Sequence, residues 1–181
     1  ITYDMIIKGS LKVTRTYSFS GSASSQLIGT GIRFRNVFDM YAMDFNCLVN
    51  GFNNAYRFDS QDGATSNLDM GKLIAQNCLI DFDISGGTTA GDYTTAINFY
   101  DARNIYNNSG FTDNIGSIGV RIDGGNKSVD NVRFLNSTIE GRKERKFILD
   151  FAEDCSIDEN YFDPGAMAGS AGYIREFITG A

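Results

Sequence analysis

The sequence contains no histidine, and that absence removes a large part of enzyme chemistry. A Ser-His-Asp or Cys-His nucleophilic centre, His-ligated zinc and acid–base steps run by imidazole are all excluded. Proton transfer falls instead to carboxylates, lysine, tyrosine or cysteine. Cysteine is also scarce: Cys47, Cys78 and Cys155 form no Cys-x-x-Cys pair that would suggest a metal or redox site, and no disulfide framework. No run of about 18 apolar residues is present, so membrane insertion is not expected. Basic residues are outnumbered, 16 against 22 acidic, and the formal charge of −6 disfavours nucleic acid or an anionic membrane surface as the main partner.

What is present suits a single domain of short strands. The 181 residues are 42% hydrophobic and 13% aromatic, enough to bury a core, and 20 glycines with abundant Asn, Ser and Thr supply turns. Ile1 is not a natural start, so the chain is expected to be a piece of a longer one, with an open end that needs a cap or a neighbour.

Two patterns recur and interleave. The first is an Asn followed by a small residue, at Asn46, Asn77, Asn108, Asn136 and Asn160, with Cys47, Cys78, Ser109, Ser137 and Tyr161 after them. Apolar residues flank it at Met43, Ile74, Ile105 and Ile157, and again at Val49, Ile80, Phe111 and Ile139. The second is a short alternating strand: GIRFRN from Gly31, AYRFDS from Ala55, AINFYD from Ala96, GVRIDG from Gly119 and KFILDF from Lys146. Period two puts Ile32 and Phe34, Tyr56 and Phe58, Ile97 and Phe99, Val120 and Ile122, and Phe147 and Leu149 on one face. A further copy, YIREFI from Tyr173, places Glu176 at an inward position and fits least well.

Strand-bearing repeats of roughly 20 to 30 residues are the mark of a stacked architecture in which no repeat buries its apolar face alone. The fold expected is all-β, a right-handed single-stranded parallel β-helix (solenoid) of about five to seven coils. Residues 1–30 form an irregular first coil with strands near Met5–Ile7 and Leu11–Val13, and residues 31–181 form the β-helix. The recurring Asn residues are read either as an inward ladder of side-chain amides or as turn residues that tolerate left-handed backbone. Cys47 and Cys78 then occupy equivalent small inward positions, and no disulfide is expected. Residues 61–71 and 85–95 are expected to be inserted loops, RKERK at 142–146 a solvated charge run, and 163–172 a flexible connection.

The outward positions of the strands carry the candidate chemistry. Between the inward pairs fall Arg33, Arg57, Asn98, Arg121, Ile148 and Arg175, and after them Arg35, Asp59, Tyr100, Asp123 and Asp150. Such a strip offers carboxylates and amides to sugar hydroxyls, a phenol ring to an apolar sugar face, and guanidinium groups to acidic substituents. With strands roughly 4.8 Å apart, neighbouring carboxylates such as Asp123 and Asp150 approach the retaining-glycosidase separation, and Asp59 with Asp123 approaches the inverting one. The candidate acids and bases are therefore Asp59, Asp123 and Asp150, with Arg33, Arg57, Arg121, Asn98 and Tyr100 as binding groups. The competing reading is a ladder of salt bridges on a solvated face. Asp59, Asp62, Asn67 and Asp69 are oxygen-rich but fail the calcium-loop spacing, so no metal or other cofactor is expected. GVRIDGGNKS lacks the P-loop order, and the Asn-x-Ser/Thr triplets at Asn107, Asn126 and Asn136 are not read as glycosylation sites.

At NCLVNGFNNAYRF, QNCLIDFDISGG and NVRFLNSTIEG the chain resembles right-handed parallel β-helix proteins of the pectate-lyase-like superfamily, and among them bacteriophage tailspikes, over about residues 31 to 165. The resemblance implies a homotrimer in a virion tail, beside other phage tail proteins, that binds a bacterial surface polysaccharide and often cleaves it by hydrolysis or elimination. No catalytic residue carries over by motif, and the polygalacturonase pattern, which contains His, is absent. The activity expected is endo-acting hydrolysis of that polysaccharide by paired carboxylates, ahead of elimination by a lyase; the rival is a non-enzymatic receptor-binding, adhesin or spacer module, secreted or on a cell surface.

Overall fold

The structure, a computed structural model, describes residues 5–15, 22–87, 89, 91–105, 116–123, 129–139, 145–150, 152–153, 155–158 and 161–162. The YIREFI copy, Asn108, Asn160 and the 163–172 segment lie outside them. Two strands, β1 (Met5–Ile6) and β2 (Gly9–Thr14), and a single helical turn, α1 (Ala23–Gln26), precede the regular part. Thereafter short and long strands alternate: β3 (Thr30–Arg35), β4 (Phe38–Asn50), β5 (Asn54–Asp59), β6 (Ala64–Gln76), β7 (Ile80–Ser85), β8 (Tyr93–Ile105), β9 (Ile118–Asp123) and β10 (Val129–Leu135). The remaining elements are β11 (Thr138–Ile139), β12 (Arg145–Asp150), β13 (Ala152–Glu153), β14 (Ser156–Asp158) and β15 (Tyr161–Phe162).

The protein is all-β with two parallel sheets. The short strands make a five-stranded sheet in the order β3-β5-β7-β9-β12, and the long strands a ten-stranded one running β1-β4-β6-β8-β10-β13, with β2, β11, β14 and β15 paired at its margins. Each short strand is followed by a long one in the other sheet, and each new pair lies beside the last. The register aligns like with like: Ile32, Tyr56, Phe82, Val120 and Phe147 form one row, and Phe34, Phe58, Ile84, Ile122 and Leu149 the next.

Alternation decides which side chains enter the core. Tyr56 and Phe58 of β5 are fully buried while Arg57 between them reaches solvent. Within a sheet, equivalent rings stack: Phe34 on Phe58 at 4.7 Å, Tyr56 on Phe82 at 5.4 Å, and Phe99 on Phe134 at 4.4 Å. Between the sheets they meet edge to face, Phe58 with Phe99 at 5.1 Å and Phe82 with Phe134 at 5.7 Å. Each such ring contributes roughly 2 kcal/mol by burial, and favourable pairs add about 1 kcal/mol. The Tyr56 hydroxyl donates within the core to the carbonyls of Cys47 at 2.7 Å or Ile74 at 3.0 Å, and burial pushes its pKa up.

The long strands bend at a repeated place. Asp39, Asn67, Ala96 and Asn131 occupy equivalent positions, flanked by the rows Phe38-Ser66-Thr95-Asp130 and Met40-Leu68-Ile97-Val132. All four have left-handed backbone, with φ between 50 and 58°. Asn67 Nδ2 donates to Asp39 Oδ1 at 2.9 Å, so one rung of a polar ladder exists here. Ala96 is the odd member, because a Cβ at left-handed φ costs about 1–2 kcal/mol that Asn relieves by local hydrogen bonding. Ala96→Asn is expected to raise stability by about 0.5–1 kcal/mol and Ala96→Val to lower it, read as opposite shifts of the urea midpoint.

This bend corrects the expected asparagine pattern. Asn46 is not equivalent to Asn77; it is exposed and aligns with Lys72 and Asp101. Asn77 and Asn136 are turn residues with φ of 49°, as left-handed tolerance predicts; Asn77 is buried, whereas Asn136 is exposed and so not part of an inward ladder. Cys47 aligns with Leu73, whereas Cys78 lies beyond β6; both are buried thiols outside any disulfide. Residues 64–71, expected in a loop, begin β6, and β8 likewise starts at Tyr93. The left-handed residue shifts the inward phase by one and conceals the alternation.

Candidate functional site

The candidate site is the outer face of the five-stranded sheet. One outward row reads Arg33, Arg57, Asp83 and Arg121 on consecutive strands, with Ile148 as the register partner of Arg121 on β12. The second reads Arg35 and Asp59 on β3 and β5, then Ser85, Asp123 and Asp150 on β7, β9 and β12. Arg33, Arg57, Asp59, Arg121 and Asp123 are thus brought to one face, and Asp150 holds the matching register position on β12.

Asn98 and Tyr100 are not on it. AINFYD is part of β8 in the other sheet, and the strand that belongs between β5 and β9 is IDFDIS, residues 80–85. That strand contributes Asp83, which the sequence analysis passed over. Its signal was present, since Ile80, Phe82 and Ile84 alternate with Asp81 and Asp83, but AINFYD matched the template better in composition.

Two buried carboxylates organise the face. Asp59, 3% exposed, accepts from Arg33 through Nε at 3.0 Å and a terminal nitrogen, and from Arg35 through Nε at 3.1 Å. Arg57 Nε also lies 3.0 Å from Asp59 Oδ2, as an ion pair whose N–H is not directed at the oxygen. Asp83, fully buried, accepts from Asn54 Nδ2 at 2.6 Å and in two-pronged fashion from Arg121, Nε at 2.8 Å and Nη2 at 2.9 Å. Burial opposes the Arg121 charge, yet the hydrogen bonds and charge of Asp83, with Asp123 nearby, outweigh it and hold the guanidinium pKa above its ordinary value.

These contacts limit the chemistry. Both Asp59 oxygens are engaged by guanidinium groups, which leaves little of the carboxylate open to a bound sugar. Asp59 and Asp83 therefore fix the arginines of this face. Asp123 is half-buried, and its register partner on β12 is Asp150. One strand spacing, roughly 4.8 Å, separates such register positions.

On the outer face of the larger sheet Tyr41, Asp69, Asn98 and Arg133 align. Asn98 Nδ2 donates to Asp69 Oδ1 at 2.9 Å. Burial and the neighbouring Asp69 raise the Tyr100 pKa. Tyr41 and Asp69 also border an open groove of about 330 Å³ with Met5, Ile6, Asp39, Met40 and Asn67. The oxygen-rich set considered as a cation loop is divided between the sheets, with Asp59 on β5 and Asn67 and Asp69 on β6. Among the described residues no group of three His, Cys, Asp or Glu could hold a metal ion, and no helix is long and apolar enough to cross a membrane.

No family model, no curated protein and no solved structure matches the chain.

Proposed function

We propose that the chain is a binding module for a bacterial surface polysaccharide (capsule, lipopolysaccharide or exopolysaccharide), built as a right-handed single-stranded parallel β-helix of the tailspike kind. Two parallel sheets fed by strands that alternate between them from β3 to β10 are what such a helix requires, and crossovers between parallel strands are right-handed in about 98% of cases. The observation that supports binding is the outward strip, in which Arg33, Arg35, Arg57 and Arg121 are held by Asp59 and Asp83 and remain about one-third exposed. A polymer lying along the stack, whose strands are roughly 4.8 Å apart, meets guanidinium donors on β3, β5 and β9, with little side-chain entropy left to lose. In this reading the module works in a virion tail, as a homotrimer beside other tail proteins, and the same face would serve an adhesin on a cell surface.

Carboxylates matched to arginines favour the non-enzymatic form of this module over the hydrolase. One observation favours hydrolysis: the register pairing of Asp123 with Asp150, which suits a retaining mechanism with one carboxyl as acid and the other as nucleophile. Incubation with a panel of capsular and lipopolysaccharide glycans decides between them. Binding without release of reducing ends is expected. Reducing ends whose release stops in Asp123→Asn and Asp150→Asn would replace the binding module with the hydrolase. Absence of binding across the panel would overturn both and leave a structural spacer.

A further inference from the structure

We infer that Arg33 and Arg57 form an anion site, selecting polysaccharides whose repeating unit carries a carboxylate, sulfate or phosphate. The inference rests on the reading of this face as glycan-binding and adds the charge of the ligand to it.

The argument is an imbalance of charge. Around Asp59 stand three guanidinium groups, from Arg33, Arg35 and Arg57, against one carboxylate, a local excess of two positive charges (three minus one). Asp83 cancels it only in part: it pairs with Arg57 at 3.9 Å, but Arg121 takes both its oxygens, and with Arg121, Asp83 and Asp123 included four guanidinium groups face three carboxylates, an excess of one (four minus three). This excess sits in a chain whose formal charge is −6, so it is a local feature and not a reflection of overall composition. Packing like charges together costs free energy unless a counter-charge arrives.

The donors left over have a direction. Arg35 is occupied on every side, with Asp59 on two nitrogens and the Gln61 side-chain oxygen on Nη1. Arg33 spends Nε and Nη2 on Asp59, and Arg57 spends Nε. Among the described residues, Arg33 Nη1 and both terminal nitrogens of Arg57 donate no hydrogen bond. Arg33 and Arg57 are register partners on β3 and β5, and their side chains are 38% and 35% exposed. Two adjacent forks with free terminal N–H groups fit the planar or tetrahedral oxygens of an anion better than a sugar hydroxyl, which carries no charge to offset the excess. Asp59 is a positioning residue: it holds the guanidinium planes and does not touch the ligand.

Binding of the intact chain to immobilised polygalacturonate, dextran sulfate, long-chain polyphosphate, unsubstituted dextran and single-stranded RNA tests this. The three acidic polymers separate carboxylate, sulfate and phosphate as the preferred group. At least one acidic polymer is expected to bind at least tenfold tighter than dextran. The Arg33→Gln/Arg57→Gln double variant, shown to be folded by circular dichroism, is expected to lose at least tenfold on that polymer, and Arg57→Lys to recover part of the loss. Equal binding of dextran and the acidic polymers would overturn the anion site while leaving a glycan-binding face. Binding of no saccharide in this set or in the glycan panel would instead overturn the broader reading. Undiminished binding by the double variant, or RNA bound more tightly than every acidic saccharide, would also overturn the inference.

Discussion

Asp83→Ala is expected to lower folding stability by about 3 kcal/mol. The carboxylate is fully buried and accepts three hydrogen bonds, from Asn54 at 2.6 Å and from Arg121 at 2.8 and 2.9 Å. Removing one partner of a buried charge pair costs about 3–5 kcal/mol, because the other is left desolvated. The Arg121 side chain is 30% exposed and regains some water, which places the expectation at the lower end. Asp83→Asn keeps an acceptor in place and should lose less, about 1–2 kcal/mol. Urea unfolding at constant slope reads both; a loss below about 0.5 kcal/mol for the alanine variant would show that Asp83 does not hold the strip together.

Gly71→Ala is expected to cost a similar amount, about 3 kcal/mol, for an unrelated reason. Gly71 lies in β6 beside the irregular stretch of β4 where the register shifts between Ala42 and Asn46. A Cβ on Gly71 would collide with the Met43 carbonyl oxygen, and would lie 2.8 Å from the Met43 carbonyl carbon and 2.9 Å from the Ala42 oxygen. These are backbone atoms and cannot rotate aside, so β4 and β6 must part. Gly71 is not among the residues with left-handed backbone, and without the collision alanine would be the better strand residue by about 0.5–1 kcal/mol. Gly63→Ala provides the control, since its Cβ would meet only the Asn36 side chain at 3.5 Å. The urea midpoint should fall steeply for the first variant and stay within about 0.5 kcal/mol for the second; equal behaviour would remove the close-approach explanation.

The short strands were legible because their side chains obey one rule throughout. GIRFRN, AYRFDS and GVRIDG become β3, β5 and β9, and the outward Arg33, Arg57, Asp59, Arg121 and Asp123 follow from period two alone. The long strands were harder to read because they break that rule inside themselves. Asn67 and Ala96 turn left-handed, and the β4 irregularity near Asp44 moves the inward set by one, so a sequence template slides off. AINFYD illustrates the result: Ile97 and Phe99 do point inward, but from β8, and Asn98 and Tyr100 go with them to the other sheet. Asp83 was overlooked for a different reason. An aspartate that vanishes beneath two arginines looks, in sequence, like any other surface residue of a strand.

The register also governs how the chain can reach this structure. Every assigned strand pair is parallel, so none is closed by a hairpin. In the five-stranded sheet the nearest partners are 24 residues apart, Ile32 with Tyr56, and the farthest 38, Phe82 with Val120. Closing a loop of that length costs about 3 kcal/mol before any contact repays it, and the first closure has no template to pair with. Once β5 to β8 have assembled around Phe58, Phe82 and Phe99, each later strand finds an edge already formed. Folding is therefore slow to start and quick to extend, and an interruption in the middle separates two stacks that must each start anew.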